Sequence, residues 1–164
     1  MHKRSILGLF CEDIREEAGE QFTLIGLMSD NLSINPIKVD KSTPQQNASA
    51  IGKMLSQVCI FVRVNIDPTD PLEEISLRIS FPDGTSLPIG GAEAHIVAKA
   101  KADAIEKGNP LAGIIMRAAL QGFRPLQGGL IKLEADLDSE TQLLAAMNME
   151  VNEVTSSSES GQPS

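Results

Sequence analysis

From residue 75 to residue 81 every second position is apolar: Ile75, Leu77, Ile79 and Phe81 alternate with Ser76, Arg78 and Ser80. A period of two sends alternate side chains to opposite faces, so this segment is predicted to be a strand with one buried side. The pattern returns near the end of the chain. Ile131, Leu133, Ala135 and Leu137 alternate with Lys132, Glu134 and Asp136, and after a "DSET" turn Leu143, Ala145, Met147, Met149 and Val151 alternate back, as in a hairpin with one buried face. Residues 59–66 are apolar on both faces, as expected of a central strand. Residues 5–11 and 21–28 are shorter strand-like runs with Gly19 in the turn between them. Ile34, Ile37 and Val39 suit a short edge strand, and "KSTPQQNASA" reads as an exposed loop. "PDGT", from Pro82 to Thr85, carries Asp-Gly turn chemistry and reverses the chain into residues 86–89.

The period changes at Gly90-Gly91. Residues 92–107 are Ala-rich and helix-favouring, with Glu93 in the first turn, Lys107 in the last and Gly108 as the C-cap. Asn109-Pro110 then reads as an N-cap and first position of a second helix that runs through Gln121 to Gly122. Only Arg117 and Gln121 interrupt its apolar surface, so it is expected either between the first helix and the β-layers or at a contact with another chain. These elements predict a mostly β, antiparallel, immunoglobulin-like β-sandwich. A helical pair (about 92–121) is inserted before the final hairpin. One domain spans residues 1–154, and "TSSSESGQPS" forms a disordered tail over 155–164.

Composition narrows the function. Hydrophobic residues make up 41% of the 164, but aromatics only 3%, with no Trp or Tyr, so the core is aliphatic and stacking platforms for bases or sugars are scarce. A formal net charge of −8 repels polyanions, which argues against a nucleic-acid partner. The apolar run after Met1-His2-Lys3-Arg4 is too short for a signal peptide, and no stretch is long enough to span a membrane. The expectation is a cytoplasmic protein with Cys11 and Cys59 reduced and packed. His2 and His95 are isolated from one another, so no zinc ligand set forms, and "IGG" before the helix matches neither a P-loop nor a dinucleotide fingerprint.

"FCEDIREEAGEQFTLIG" places Glu12, Asp13, Glu16, Glu17 and Glu20 between two strand-like runs. If strands alternate in direction, Asp67, Asp70, Glu73 and Glu74 of the later turn lie at the same end. Asp13 and Glu16 fit a capping box for one helical turn, with Ile14 plugging the end of the layers and Arg15 pairing with a carboxylate. A calcium site lacks its D-x-[DN]-x-[DN]-G loop. The other role for such an end is docking of a basic partner. "CEDIREE…LIG" at residues 11–26, with "CIFVRV" at residues 59–64, resembles a family of small uncharacterised bacterial proteins that open with a C-[DE]-D-[IV]-R-x-E stretch and an L-[IV]-G strand. The resemblance implies a β-sandwich and brings no catalytic residues with it.

No convergent catalytic set is visible. The reading is a non-enzymatic protein-interaction or structural module, without cofactor or metal, that binds a protein partner or itself as a homo-oligomer. The contact residues are expected to be Asp13, Arg15 and Glu16 at the acidic end, with Leu111, Ile115 and Met116 on the apolar helix. The alternative is a β-sandwich that holds a small apolar ligand.

Overall fold

The computed structural model of the chain describes residues 4–19, 21–28, 30–34, 55–123, 128–138 and 140–151. Those residues form β1 (Arg4–Glu17), β2 (Gln21–Leu27), β3 (Asn31–Ile34), β4 (Leu55–Ile66), β5 (Ile75–Ser80), β6 (Ser86–Ala92), α1 (Ala94–Glu106), β7 (Ala112–Phe123), β8 (Gly129–Leu137) and β9 (Glu140–Val151). The strands make two sheets, one ordered β2-β1-β4-β7 and the other β3-β9-β8-β5-β6. Neighbours are antiparallel except β3 and β9, which run parallel. The expected loop over 41–50, Ile37 and Val39 of the edge strand, and the tail lie outside the described residues.

Alternation decides which side chains meet. Val58, Ile60, Val62, Val64 and Ile66 of β4 and Ala112, Ile114 and Met116 of β7 share one apolar cluster with the other sheet. That sheet contributes Ile75, Leu77 and Ile79 from β5, Ile131, Leu133, Ala135 and Leu137 from β8, and Met147 and Met149 from β9. Each fully buried Ile or Leu contributes about 1.5–3 kcal/mol through removal from water, so this aliphatic filling dominates stability. α1 adds Val97 and Ala104 to the same cluster.

The local signals hold where they are strongest. At "PDGT" the Asp83 carboxylate accepts from the Thr85 backbone N–H at 2.9 Å, and Gly84 takes a φ of 84°. α1 ends in a Schellman arrangement: Asn109 N–H donates to the Ala104 carbonyl at 2.8 Å, Gly108 N–H donates to the Ile105 carbonyl at 3.1 Å, and Gly108 has a φ of 66°.

The second helix of the expected pair is a strand. Residues 112–123 pair with β4 from Ile66↔Ala112 to Leu55↔Phe123 without a register shift. Asn109 closes the cap of α1, and Pro110 stops that helix instead of starting another. β7 looks helical in sequence because, among the described residues, three of its five outward positions, Gly113, Ile115 and Ala119, are also apolar or small, with only Arg117 and Gln121 polar. A strand apolar on both faces has the same composition as an apolar helix. The ladder to β4 and the β-branched pair Ile114-Ile115 favour the strand.

A second correction concerns the acidic stretch. Residues 12–17 continue β1 and pair with β2 from Asp13↔Ile25 to Glu17↔Gln21, so Asp13 and Glu16 cap no helical turn. β4 is the direct antiparallel neighbour of β1, with Arg4 opposite Ile66 and Cys11 opposite Cys59. The β1–β2 turn and the turn after β4 therefore lie at opposite ends of the sheet. Asp13 and Asp70 do not form one acidic end.

Candidate interaction surface

β1 leaves β4 after Cys11 and continues with β2 alone. The hairpin so formed lies over the outer face of the first sheet: the Phe22 ring stands 6.0 Å from that of Phe61, and the Arg117 guanidinium sits 4.6 Å over Phe22. Arg117 also donates to Glu16 Oε2 at 3.1 Å. Asp13 Oδ1 accepts from the Ile14 N–H at 2.9 Å, and its Oδ2 faces Arg15 Nε at 3.3 Å. Of the three acidic-end residues, then, Glu16 fixes the hairpin to β7, whereas Asp13 and Arg15 pair only with near neighbours. Exposed pairs of this kind contribute about 0–1 kcal/mol each.

Asp70, at the other end, is 4% exposed and the one buried charged residue among those described. Its Oδ1 accepts from Arg4 Nη2 at 2.6 Å and from the Leu72 N–H at 2.9 Å, and Oδ2 accepts from Arg4 Nε at 3.2 Å. Lys101 of α1 reaches the backbone carbonyls of Asp70 and Leu72. The carboxylate ties the start of β1 to the β4–β5 loop, and the backbone carbonyls of that loop hold Lys101 of α1. The expectation of one acidic end shared with Asp13 misses this role, since nothing local marks Arg4 and Lys101 as partners of Asp70.

The apolar candidates separate as well. Met116 is 8% exposed and points into the core, so it is no contact residue. Leu111 (37%) and Ile115 (41%) are exposed, and with Ile96 they line a cleft of about 390 Å³ between α1 and the start of β7. Its walls also carry Lys99, Asp103 and Lys107. Lys99 Nζ donates to Asp103 at 2.8 Å, which raises the affinity of the lysine for its proton and lowers that of the carboxylate.

No protein-family model matches this chain, and no curated protein is significantly similar to it. Among the described residues no group of three or more His, Cys, Asp or Glu is placed to hold a metal ion, and no helix is long and apolar enough to cross a membrane. His95 is exposed on α1, 3.4 Å from Glu93. Cys11 and Cys59 are buried free thiols, and burial, followed by the neighbouring Cys59 and Asp13, pushes the Cys11 thiol up to about 11.

The edges of the sheets remain. β3 is four residues long and β2 seven. β6 contains Pro88 and lies across from a register shift between Leu77 and Arg78. β7 is different: it has twelve residues, no Pro, no shift in its ladder and a single charge, Arg117. Natural sheets guard their edges with short strands, prolines, bulges or lysines, because open N–H and C=O groups recruit further strands. β7 has none of these four guards in its own residues, and α1 lies beside its start, at residues 111–115.

Proposed function

We propose that this chain is a non-enzymatic protein-interaction module that self-associates by antiparallel pairing of β7 with β7 of a second copy. Under the same proposal the two sheets pack as a β-sandwich with immunoglobulin-like layering, antiparallel except for β3 and β9. The β7 edge beyond α1, which among the described residues has no proline, bulge or lysine, carries the proposal. Two features make a second copy the occupant. A two-fold axis brings together identical strands in antiparallel sense, the simplest closed assembly. The only charge on the strand, Arg117, is already answered by Glu16 of its own chain, so two strands meet without an unpaired like charge. An axis at Ala119 sets Arg117 opposite Gln121 of the second copy. It also leaves the α1 cleft, with Ile96, Leu111 and Ile115, at the rim. A small apolar ligand is less well served, because both signs of charge line that cleft.

Size-exclusion chromatography with light scattering tests this reading. The wild-type chain is expected at the mass of a dimer. Ala119→Lys, which opposes two ammonium groups at the axis, is expected at the mass of a monomer with an unchanged circular-dichroism spectrum. A wild-type monomer at the highest soluble concentration, or a dimer that survives Ala119→Lys, overturns it.

A further inference from the structure

Cys11 and Cys59 stand directly opposite one another in the β1–β4 ladder, at its last rung before β1 departs. Opposed residues of antiparallel strands have Cα atoms about 4.5 or 5.5 Å apart, depending on the type of pair. Both separations fall within the span of roughly 4.4–6.8 Å that a disulfide bridges. The two side chains share the outer face of the first sheet, beside Phe61, and both are buried under the hairpin. Cys59 Sγ donates to the Glu12 carbonyl of β1 at 3.6 Å and accepts from Gln57 Nε2 at 2.9 Å, so the thiol is held toward the strand that carries Cys11. A cleft of about 330 Å³, lined by Cys59 together with Asp13, Ile14, Gln57 and Arg117, gives Cys59 a route to solvent.

We propose that Cys11 and Cys59 are a cross-strand redox pair that closes to an intramolecular disulfide when a low-molecular-weight disulfide of the glutathione type enters the cleft. The Cys59 thiolate attacks one sulfur of the oxidant, breaks its S–S bond and expels one thiolate. Cys11 then gives its proton to water and attacks Cys59 Sγ, expelling the second thiolate. Two protein thiols lose two electrons and two protons, and the oxidant becomes two small thiols. Cys59 lines the cleft and so makes the first attack, whereas Cys11 is fully buried and burial keeps it protonated at neutral pH. The bond fastens the hairpin at the point where β1 would otherwise peel from β4, and it closes the loop that holds β2 and β3.

The test treats the full wild-type chain with oxidised glutathione, quenches with acid, unfolds it and alkylates with iodoacetamide before intact-mass analysis. The expected product is a monomer two hydrogens lighter than the reduced chain, with no alkylated thiol and a melting temperature several degrees higher. Cys11→Ser is expected to stop at a glutathione adduct on Cys59, and Cys59→Ser to remain largely unmodified. Two alkylatable thiols after treatment, an adduct on each cysteine, or a disulfide that links two chains would each overturn the proposal.

Discussion

A Cβ added at Gly91 would sit 2.0 Å from the carbonyl oxygen of Ile75, inside the β5–β6 ladder, where neither backbone can yield without breaking pairing. Gly84 has the opposite problem: there is open space around it, but its φ of 84° suits few residues other than glycine. The two therefore separate steric crowding from backbone strain. Gly84→Ala is expected to cost about 1–2 kcal/mol of unfolding free energy. Gly91→Ala is expected to cost more than about 4 kcal/mol or to prevent folding, which urea titration of both variants would measure. Nothing in the "IGG" string itself signals this. The glycine is needed because a strand 16 residues earlier lies against it, and the sequence around Gly91 holds no trace of that strand.

Among elements, the solvent side of β5, β8 and β9 shows how a period-two pattern becomes a polar ladder. Arg78 donates to Glu134 Oε2 at 3.2 Å and is paired with Asp136, while Ser80 Oγ donates to Glu134 at 2.6 Å and Thr141 Oγ1 to Asp136 at 2.5 Å. The Ser80 hydroxyl first, then Arg78, holds the Glu134 carboxyl below the usual carboxylate range. A depressed folded-state value means that the stabilisation is present at neutral pH and is lost as pH falls through that value. The melting-temperature gap between the wild type and Glu134→Gln should therefore narrow as pH is lowered from 7 toward about 3, as scanning calorimetry would show. Unequal narrowing at high pH instead would contradict the assignment. β5 and β8 were legible because their alternation is strict and one face is wholly apolar; β9 follows the expected pattern at Ala145, Met147 and Met149, but a register shift between Leu133 and Glu134 turns Leu143 to solvent and packs Leu144 against the core instead. β7 was not legible, since its outer face is apolar or small except at Arg117 and Gln121, and a single sequence cannot distinguish that from a buried helix.

At the scale of the whole molecule, Asp70 links three segments that are distant in the chain: Arg4 of β1, Leu72 beyond β4 and Lys101 of α1. Removing the carboxylate leaves a guanidinium and a backbone N–H without their acceptor in a largely buried place. Asp70→Ala should lower unfolding free energy by about 3 kcal/mol, the lower end for a broken buried pair because Arg4 keeps some contact with water. Asp13→Ala, with its exposed neighbour Arg15, should change it by less than about 1 kcal/mol. Equal losses in urea titrations would refute this division of the carboxylates into an anchor and a solvated face. The expected single acidic end gives no hint of it, because strands that alternated strictly in chain order would bring both turns together, whereas β1 lies antiparallel beside β4.

Local chemistry written in the sequence determined the alternating strands, the Asp83-Gly84 reversal and the capped end of α1, because each is settled by residues within a few positions of one another. Tertiary structure alone decided that residues 112–123 extend along β4, that the carboxylates of β1 and of the β4–β5 loop part company, and that Cys11 faces Cys59. Those outcomes depend on which strands become neighbours and in which direction they run. That choice is made by burial and hydrogen bonding between segments far apart in the chain, and no short stretch of sequence encodes its partner.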